Sequence, residues 1–540
     1  MQTSSMLAPL HALRGAVLGD AMAALEAGRF GAAEVTAGGW VRREPADLDA
    51  RLLLGLAIAG RGEAERAAPL LQSVATARPE FAHPCRDLAR LCPTAPALVA
   101  AQYRACRTLA PADPKLGYAY ADFLLGGGNP AAAAAVLRAV LDTAPAFGIA
   151  HNLFGMALFD LGDVAGAVAA FRCATELDPT EGAPWANLGM ALKTEGRFEA
   201  ALAACDRAVA CAPHDQRIRL NRAVALLRAG RMAEAWPDYE ARLSVGGGMK
   251  LPAVLLLPSV AGLDLAGRTV LVWHEEGFGD TLQFCRYIRL LAARGARVVA
   301  WVPAELARVF ATVEGVAEIL VGPAAPPPFD WHCPFFSLPR AFATTLHTIP
   351  AQAYLRADPA LTAAWAERLP RTGDMRVGLV WAGQARPWVA SFTALDRRRS
   401  TSLTTLAPLG AVAGATFVSL QKGDPAADAA NPPGGLELHD PMEGVADFAD
   451  TAAIIANLDA VVSVDTSVAH LAAAMGAKVL LLDRYDSCWR WLAGREDSPW
   501  YPSLRILRQP VSGDWATVVA RAAAILAGMA DERDQRHAAD

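Results

Sequence analysis

A chain of 540 residues with 53% hydrophobic and 19% charged side chains is too long for one ordinary domain and too apolar for wholesale disorder, so about three folded units are expected. A net charge of −5 and a pI of about 6.1 leave no electrostatic footprint for nucleic acid or for an acidic membrane surface. The opening residues, MQTSSMLAPLHALRG, lack the basic-then-apolar order of a secretory leader, and no apolar run reaches the roughly 18 residues of a membrane span.

The first half of the chain keeps a beat. Pro45, Pro79, Pro145, Pro179 and Pro213 stand 34 residues or a near-multiple apart, with Pro111 between. Gly28, Gly62, Gly128, Gly162, Gly196 and Gly230 keep the same interval, as do Ala33, Ala67, Ala133, Ala167, Ala201 and Ala235. The spacing predicts pairs of short helices: a glycine turns the chain, an alanine allows close approach, and a proline stops the second helix. A plain alanine-rich bundle is the alternative. The copy PWANLGMALKTEGRFEAALAACDRAVACAP resembles the tetratricopeptide repeat, with Trp185, Leu188, Gly189, Ala201, Ala208 and Pro213 on its pattern. The resemblance runs over about 14–243, with a degenerate copy around 80–113. It implies an all-α superhelix whose concave groove takes an extended protein or peptide segment and does no chemistry.

At about 245 the pattern changes. Gly246, Gly247 and Gly248 with the prolines that follow read as a linker, 244–265. Beyond it, short apolar runs alternate with helical stretches: TVLVW, RVVAWV, AEILV, RVGLVWAG, TFVSLQ, AVVSV, KVLLL and LRIL. Unbroken apolar strands between helices predict parallel sheets covered on both faces. Two Rossmann-like α/β lobes are expected, 266–355 and 376–525, joined by an interlobe linker at 356–375. Residues 526–540 are expected to form a loose polar tail.

Ligands of open α/β sheets sit where strands end and helices begin, so the turns carry the search. WHEEGFGDTLQF, 273–284, follows the first strand of the first lobe. It lacks the third glycine of a dinucleotide fingerprint, the second histidine of HExxH and a Walker lysine. Gly277 and Gly279 let backbone approach a ligand, and Asp280 is either a helix cap or a catalytic base. Glu275 and Glu276 read as solvated or structural, and His274 stays open. In VVSVDTSVAHLAAAMGAKVLLL, Asp465, Thr466 and Ser467 open a helix carrying His470. Its free N–H groups suit a diphosphate, or else it is an ordinary capped helix. Arg397, Arg398 and Arg399 are placed in the loop after RVGLVWAG, and Lys422 ends the strand of FVSLQKGD; each is a solvated charge or a phosphate ligand. Trp489, Trp491, Trp500 and Tyr501 are core packing or a stacking wall.

Nine cysteines form no C-x-x-C pair. They read as small buried hydrophobes in a reducing compartment, which places the protein in the cytoplasm; a metal or disulfide role is the alternative.

GFGDT-x-QF-x-RY, VGLVWAG, DRRRS, FVSLQKGD, DFADTAAII, VDTSVAHLAAA and WRWLAGREDSPWYPSLRILRQ occur in order over nearly all of 266–510. Together they resemble the glycosyltransferase domains fused to tetratricopeptide repeats in bacteria, similar to the heptosyltransferase family and to flagellin and protein O-glycosyltransferases. The resemblance implies a GT-B fold, a nucleotide-sugar co-substrate with no permanently bound cofactor, and metal-independent transfer to an acceptor. It makes Asp280 the catalytic base. It gives Asp465, Thr466, Ser467 and His470 to the donor, with Arg398, Arg399 or Lys422 in place of the family's phosphate-binding lysine. A decayed, non-catalytic scaffold, a lipopolysaccharide glycan acceptor and glycoside hydrolysis are the rival readings.

Overall fold

The structure is a computed structural model that describes residues 15–25, 27–77, 100, 103, 113–245, 251–275, 277–323, 325–371, 374–384 and 390–539. The degenerate repeat, apart from 100, 103 and 113, and Glu276 lie outside them, as do Cys85, Cys92 and Cys106. The chain divides into two compact units, 1–212 and 213–540.

In the N-terminal unit the helices run in pairs, among them Gly148–Asp160 with Val164–Leu177 and Gly182–Thr194 with Phe198–Cys211. The periodic residues have the roles their spacing predicts. Across the chain, the six periodic glycines take φ from 68° to 86°, the left-handed turn that side chains resist. The six alanines are fully buried. Where helices cross closest there is no room for a Cβ: one on Gly155 would lie 2.6 Å from the Phe171 ring, and one on Gly189 2.6 Å from Cys205 Sγ.

The C-terminal unit holds two parallel sheets. The first contains β1 (Thr269–Trp273), β2 (Arg297–Val302), β3 (Val316–Val321) and β4 (Trp331–Pro334), in the order β3-β2-β1-β4. The second contains β5 (Met375–Val380), β6 (Ala415–Ser419), β7 (Leu438–His439), β8 (Ala460–Val464), β9 (Val479–Asp483) and β10 (Leu504–Arg508), in the order β10-β9-β8-β5-β6-β7. Chain direction therefore switches between β1 and β4 in one sheet and between β5 and β8 in the other. Loops leaving those strands part to form the crevice of an open α/β sheet. This is the α/β GT-B architecture expected from the strand pattern and the resemblance.

The last helix pair, Gln216–Arg228 and Met232–Tyr239, completes the expected repeat span and packs within the second compact unit. Its Trp236 Nε1 donates to the Thr344 carbonyl at 2.7 Å, and Arg242, just after it, pairs with Glu275 at 2.9 Å. The described part of the linker is no free tether: Leu257, Val260 and Leu265 are buried, and Leu257 N bonds the His332 carbonyl at 2.8 Å. The tail is helical, Trp515–Ala539. Its Val518, Val519, Ala522, Leu526 and Ala530 recur at helical spacing and pack into the core of the second sheet, so the polar residues ride on an anchored face. Arg397, Arg398 and Arg399 end a helix, Ala390–Arg399, rather than sitting in a loop.

Candidate active site

The two stretches singled out in the sequence both leave switch-point strands, and they meet. After β1 the chain turns at Gly277, the N-cap of the short helix Phe278–Phe284. After β8, Thr466 is the N-cap of the helix Ser467–Ala474. The contact is through Gly279, where a Cβ would lie 2.8 Å from His470 Cδ2 and 3.4 Å from Ser467 Cα. Gly279 therefore faces the Ser467–Ala474 helix directly, while Gly277 is exposed.

Asp280 is partly capping and partly paired. Its Oδ2 accepts from Gly277 N at 3.1 Å, and its Oδ1 accepts from Arg490 Nη2. Arg490 is buried and held on every side. Nε donates to Gln283 Oε1 at 2.9 Å and Nη1 to Cys488 Sγ at 3.0 Å, while the guanidinium lies over Trp489 at 4.6 Å and Phe336 at 5.3 Å. Burial alone would lower its pKa; Asp280 and its other neighbours more than offset that and hold it above the ordinary arginine range. The carboxylate side chain keeps 22% exposure, so it still reaches the crevice.

Around this pair the acidic stretch sorts itself. Glu275 turns inward to Arg242 and accepts from Phe336 N at 3.2 Å; burial raises its pKa against the pull of Arg242. It is structural. His274 Nδ1 shares a 2.7 Å hydrogen bond with Thr281 Oγ1, and burial lowers its pKa.

At the opening of the Ser467–Ala474 helix, Thr466 makes no side-chain cap, so its hydroxyl leaves the first N–H groups uncovered. Its Oγ1 instead pairs with Ser463 Oγ at 3.0 Å. His470 is buried, stacked on Trp491 at 5.2 Å, bonded through Nδ1 to Tyr501 Oη at 2.9 Å, with Nε2 3.9 Å from Asp465 Oδ1. Burial pushes its pKa down to about 4, so it is a neutral imidazole near pH 7.

The basic candidates separate. Arg399 joins the helix opening: Nη1 is 3.5 Å from the Asp465 carbonyl, Nη2 pairs with Asp396 at 2.8 Å, and its guanidinium fills the space beside Gly383. Arg398 points to Asp486 at 3.3 Å. Lys422 Nζ is bonded to the Val445 carbonyl. Trp489, Trp491, Trp500 and Tyr501 are all buried, so they serve as core.

Sequence reasoning missed Arg490, whose partner lies 210 residues away, and Gln421. The Gln421 amide closes the turn after β5: Oε1 accepts from Trp381 N at 3.0 Å and Ala382 N at 2.9 Å, and Nε2 donates to the Ala382 carbonyl at 2.9 Å. Among the described residues no group of three or more His, Cys, Asp or Glu side chains is placed to hold a metal ion. No helix among them is long and apolar enough to cross a membrane.

Residues 18–80, 118–182 and 186–244 match the tetratricopeptide repeat, and residues 442–509 match glycosyltransferase family 9 (heptosyltransferase). Over 331 residues the chain is 30% identical to Protein FlbA of Caulobacter vibrioides, covering 56% of this chain and 53% of that protein. It thus spans about half the length of this curated relative. Among solved structures, the glycosyl transferase family 9 protein from Veillonella parvula is 9% identical, with 49% of this chain and 98% of that one covered at a TM-score of 0.36. MamA from Desulfovibrio magneticus is 17% identical, with 31% and 94% covered at 0.28. Both scores are too low to carry an argument. The family matches and the two-sheet fold give one conclusion: this chain joins tetratricopeptide repeats to a glycosyltransferase family 9 (heptosyltransferase) domain.

Proposed function

We propose that the chain transfers a sugar from a nucleotide-sugar donor to a hydroxyl of a protein acceptor recruited by the repeat groove, in the cytoplasm, with flagellin-type O-glycosylation as the kind of reaction. The observation that supports this most is the meeting of the two switch points: Asp280 stands one residue from Gly279, which lies against Ser467 and His470 at the open end of the donor-side helix. A base and an anion-binding helix end thus share one seam.

Each carboxylate oxygen has two lone pairs. Oδ1 gives one to Arg490 and Oδ2 one to Gly277 N, which leaves capacity to take the acceptor's proton. The acceptor oxygen bonds to the anomeric carbon as the bond to the nucleotide phosphate breaks. The N–H groups opening the helix at Ser467, with Arg399 beside them, receive the charge on the departing diphosphate, or on a monophosphate from a CMP-linked donor. Neutral His470 holds the helix end in place through Trp491 and Tyr501. Arg398 and Lys422 join only by giving up Asp486 and the Val445 carbonyl. The transfer is proposed to need no metal, so EDTA should leave turnover unchanged.

The test is nucleotide release from a panel of UDP-, ADP-, GDP- and CMP-linked sugars with protein captured by the full-length chain. Asp280→Asn should lower it by about 10²–10⁴-fold while UDP and CMP affinities, read by calorimetry, stay unchanged. Retained turnover removes Asp280 from this role. The match to a family described as heptosyltransferase favours a second reading, a lipopolysaccharide glycan acceptor. In that case glycan, and not protein, would gain the sugar.

A further inference from the structure

The loop between β9 and β10 does two things at once. Arg490 from this loop meets Asp280, and Trp491 stacks on His470, so both halves of the candidate site lean on it. The loop is also strained: Ser487 has φ 31° and Leu492 φ 52°, left-handed values that a side chain resists. Such strain, of order 1–3 kcal/mol per residue, persists only where the surroundings over-determine the backbone.

Two arginines, Arg228 buried and Arg508 half-buried, supply that constraint. Arg508 on β10 pairs with Asp483 at 2.8 Å and donates through Nη2 to the Leu492 carbonyl at 2.9 Å and to Ser487 Oγ at 3.1 Å. The other comes from outside the sheet. Arg228 ends the helix Gln216–Arg228 of the last repeat pair, and its Nη1 donates to the carbonyls of Asp486 and, at 2.9 Å, Ser487. Its own carbonyl accepts from Ala493 N at 3.2 Å, so the loop is gripped from both ends of one residue. The same helix pair walls the loop's Trp489 with Trp236 at 6.2 Å and Tyr239 at 5.8 Å.

We propose that Arg228 is a positioning residue for the transfer site, holding the strained 484–492 loop so that Arg490 sits on Asp280 and Trp491 on His470. The proposal rests on the glycosyltransferase reading for its functional meaning. The last repeat pair is then a working part of the transferase as well as the end of the array.

The experiment compares full-length wild type with Arg228→Met, Arg228→Lys, Arg490→Met, the Arg228→Met/Arg490→Met double variant, and Arg219→Met. Arg219 pairs with Asp238 inside the same helix pair at 2.9 Å and controls for general loosening. Amide exchange across 484–492 should quicken by about tenfold or more in Arg228→Met, and much less in Arg219→Met. Nucleotide release from the UDP-, ADP-, GDP- and CMP-sugar panel should fall by about tenfold in Arg228→Met, recover partly in Arg228→Lys, and fall no further when Arg228→Met is added to Arg490→Met. Unchanged exchange in the loop, additive losses in the double variant, or an equal effect of Arg219→Met each overturn the proposal. If Arg228→Met fails to fold, Arg228→Lys against wild type carries the same exchange comparison. If wild type releases nucleotide from no donor, the transferase reading fails, while loop exchange still decides whether Arg228 is the clamp.

Discussion

The two compact units treat charge in opposite ways. In the repeat unit it stays outside: Arg61 and Arg66 pair with Glu34 and Glu63 while their side chains keep 47% and 57% exposure. Between its helices lie alanine, leucine, valine and phenylalanine. In the C-terminal unit several arginines go in. Arg286 is fully buried, donates to the Trp500 carbonyl at 2.7 Å and to Tyr354 Oη at 3.0 Å, and lies among three aromatic rings. Arg490, Arg242 and Arg508 reach acidic partners from sites of little exposure. Burying ions is a poor route to stability, because desolvation offsets most of the attraction. Shape suffices for a module that presents a surface. The unit proposed to hold a base opposite an anion site accepts the cost of fixed charges.

This contrast can be broken at five points. The largest effect should come from Asp280→Asn, with turnover down about 10²–10⁴-fold, beside a loss of thermal stability because buried Arg490 is left with only a neutral partner. Next is Arg490→Met, which strands a carboxylate and Gln283 without their partner. Removing one member of a buried pair costs about 3–5 kcal/mol, and the residual exposure of Asp280 places the loss near the lower end. Urea unfolding measures it.

His470 gives a pH test of similar size. Burial sets its folded pKa at about 4 against an ordinary 6.5, so the unfolded chain takes up the proton first. Stability from this group is complete above pH 6.5 and is lost as pH falls, by about 3 kcal/mol at pH 4. His470→Gln should remove that component of the acid slope, and equal slopes would contradict it.

In the repeats, Ala167→Leu overpacks a fully buried position and should cost about 1–3 kcal/mol by urea unfolding. Arg61→Ala, at an exposed ion pair, should leave the unfolding midpoint within experimental scatter.

How much could be read in advance also differs between the units. A 34-residue period and a glycine turn are local signals, so helix pairs, turns and buried alanines were legible before any coordinates. Long apolar strands were legible too, but β4, written WHCP, and the two-residue β7 are too short and too polar to carry a pattern. Arg397–Arg399 looked like a loop because a run of like charge hides the helix that ends there. Asp280 and the 465–470 helix opening could be singled out from the turn chemistry and the resemblance. Arg490 could not, since nothing local marks an arginine whose partner is 210 residues away. The grip of Arg228 on the loop carbonyls was hidden for the same reason.

The most direct test of the central claim, that the seam of Asp280 and the Ser467 helix end transfers sugar to protein, is the intact mass of proteins captured by the full-length chain. Cells would carry either wild type or Asp280→Asn. The account predicts a captured protein heavier by a sugar mass with wild type alone. A captured protein of identical mass in both would contradict it.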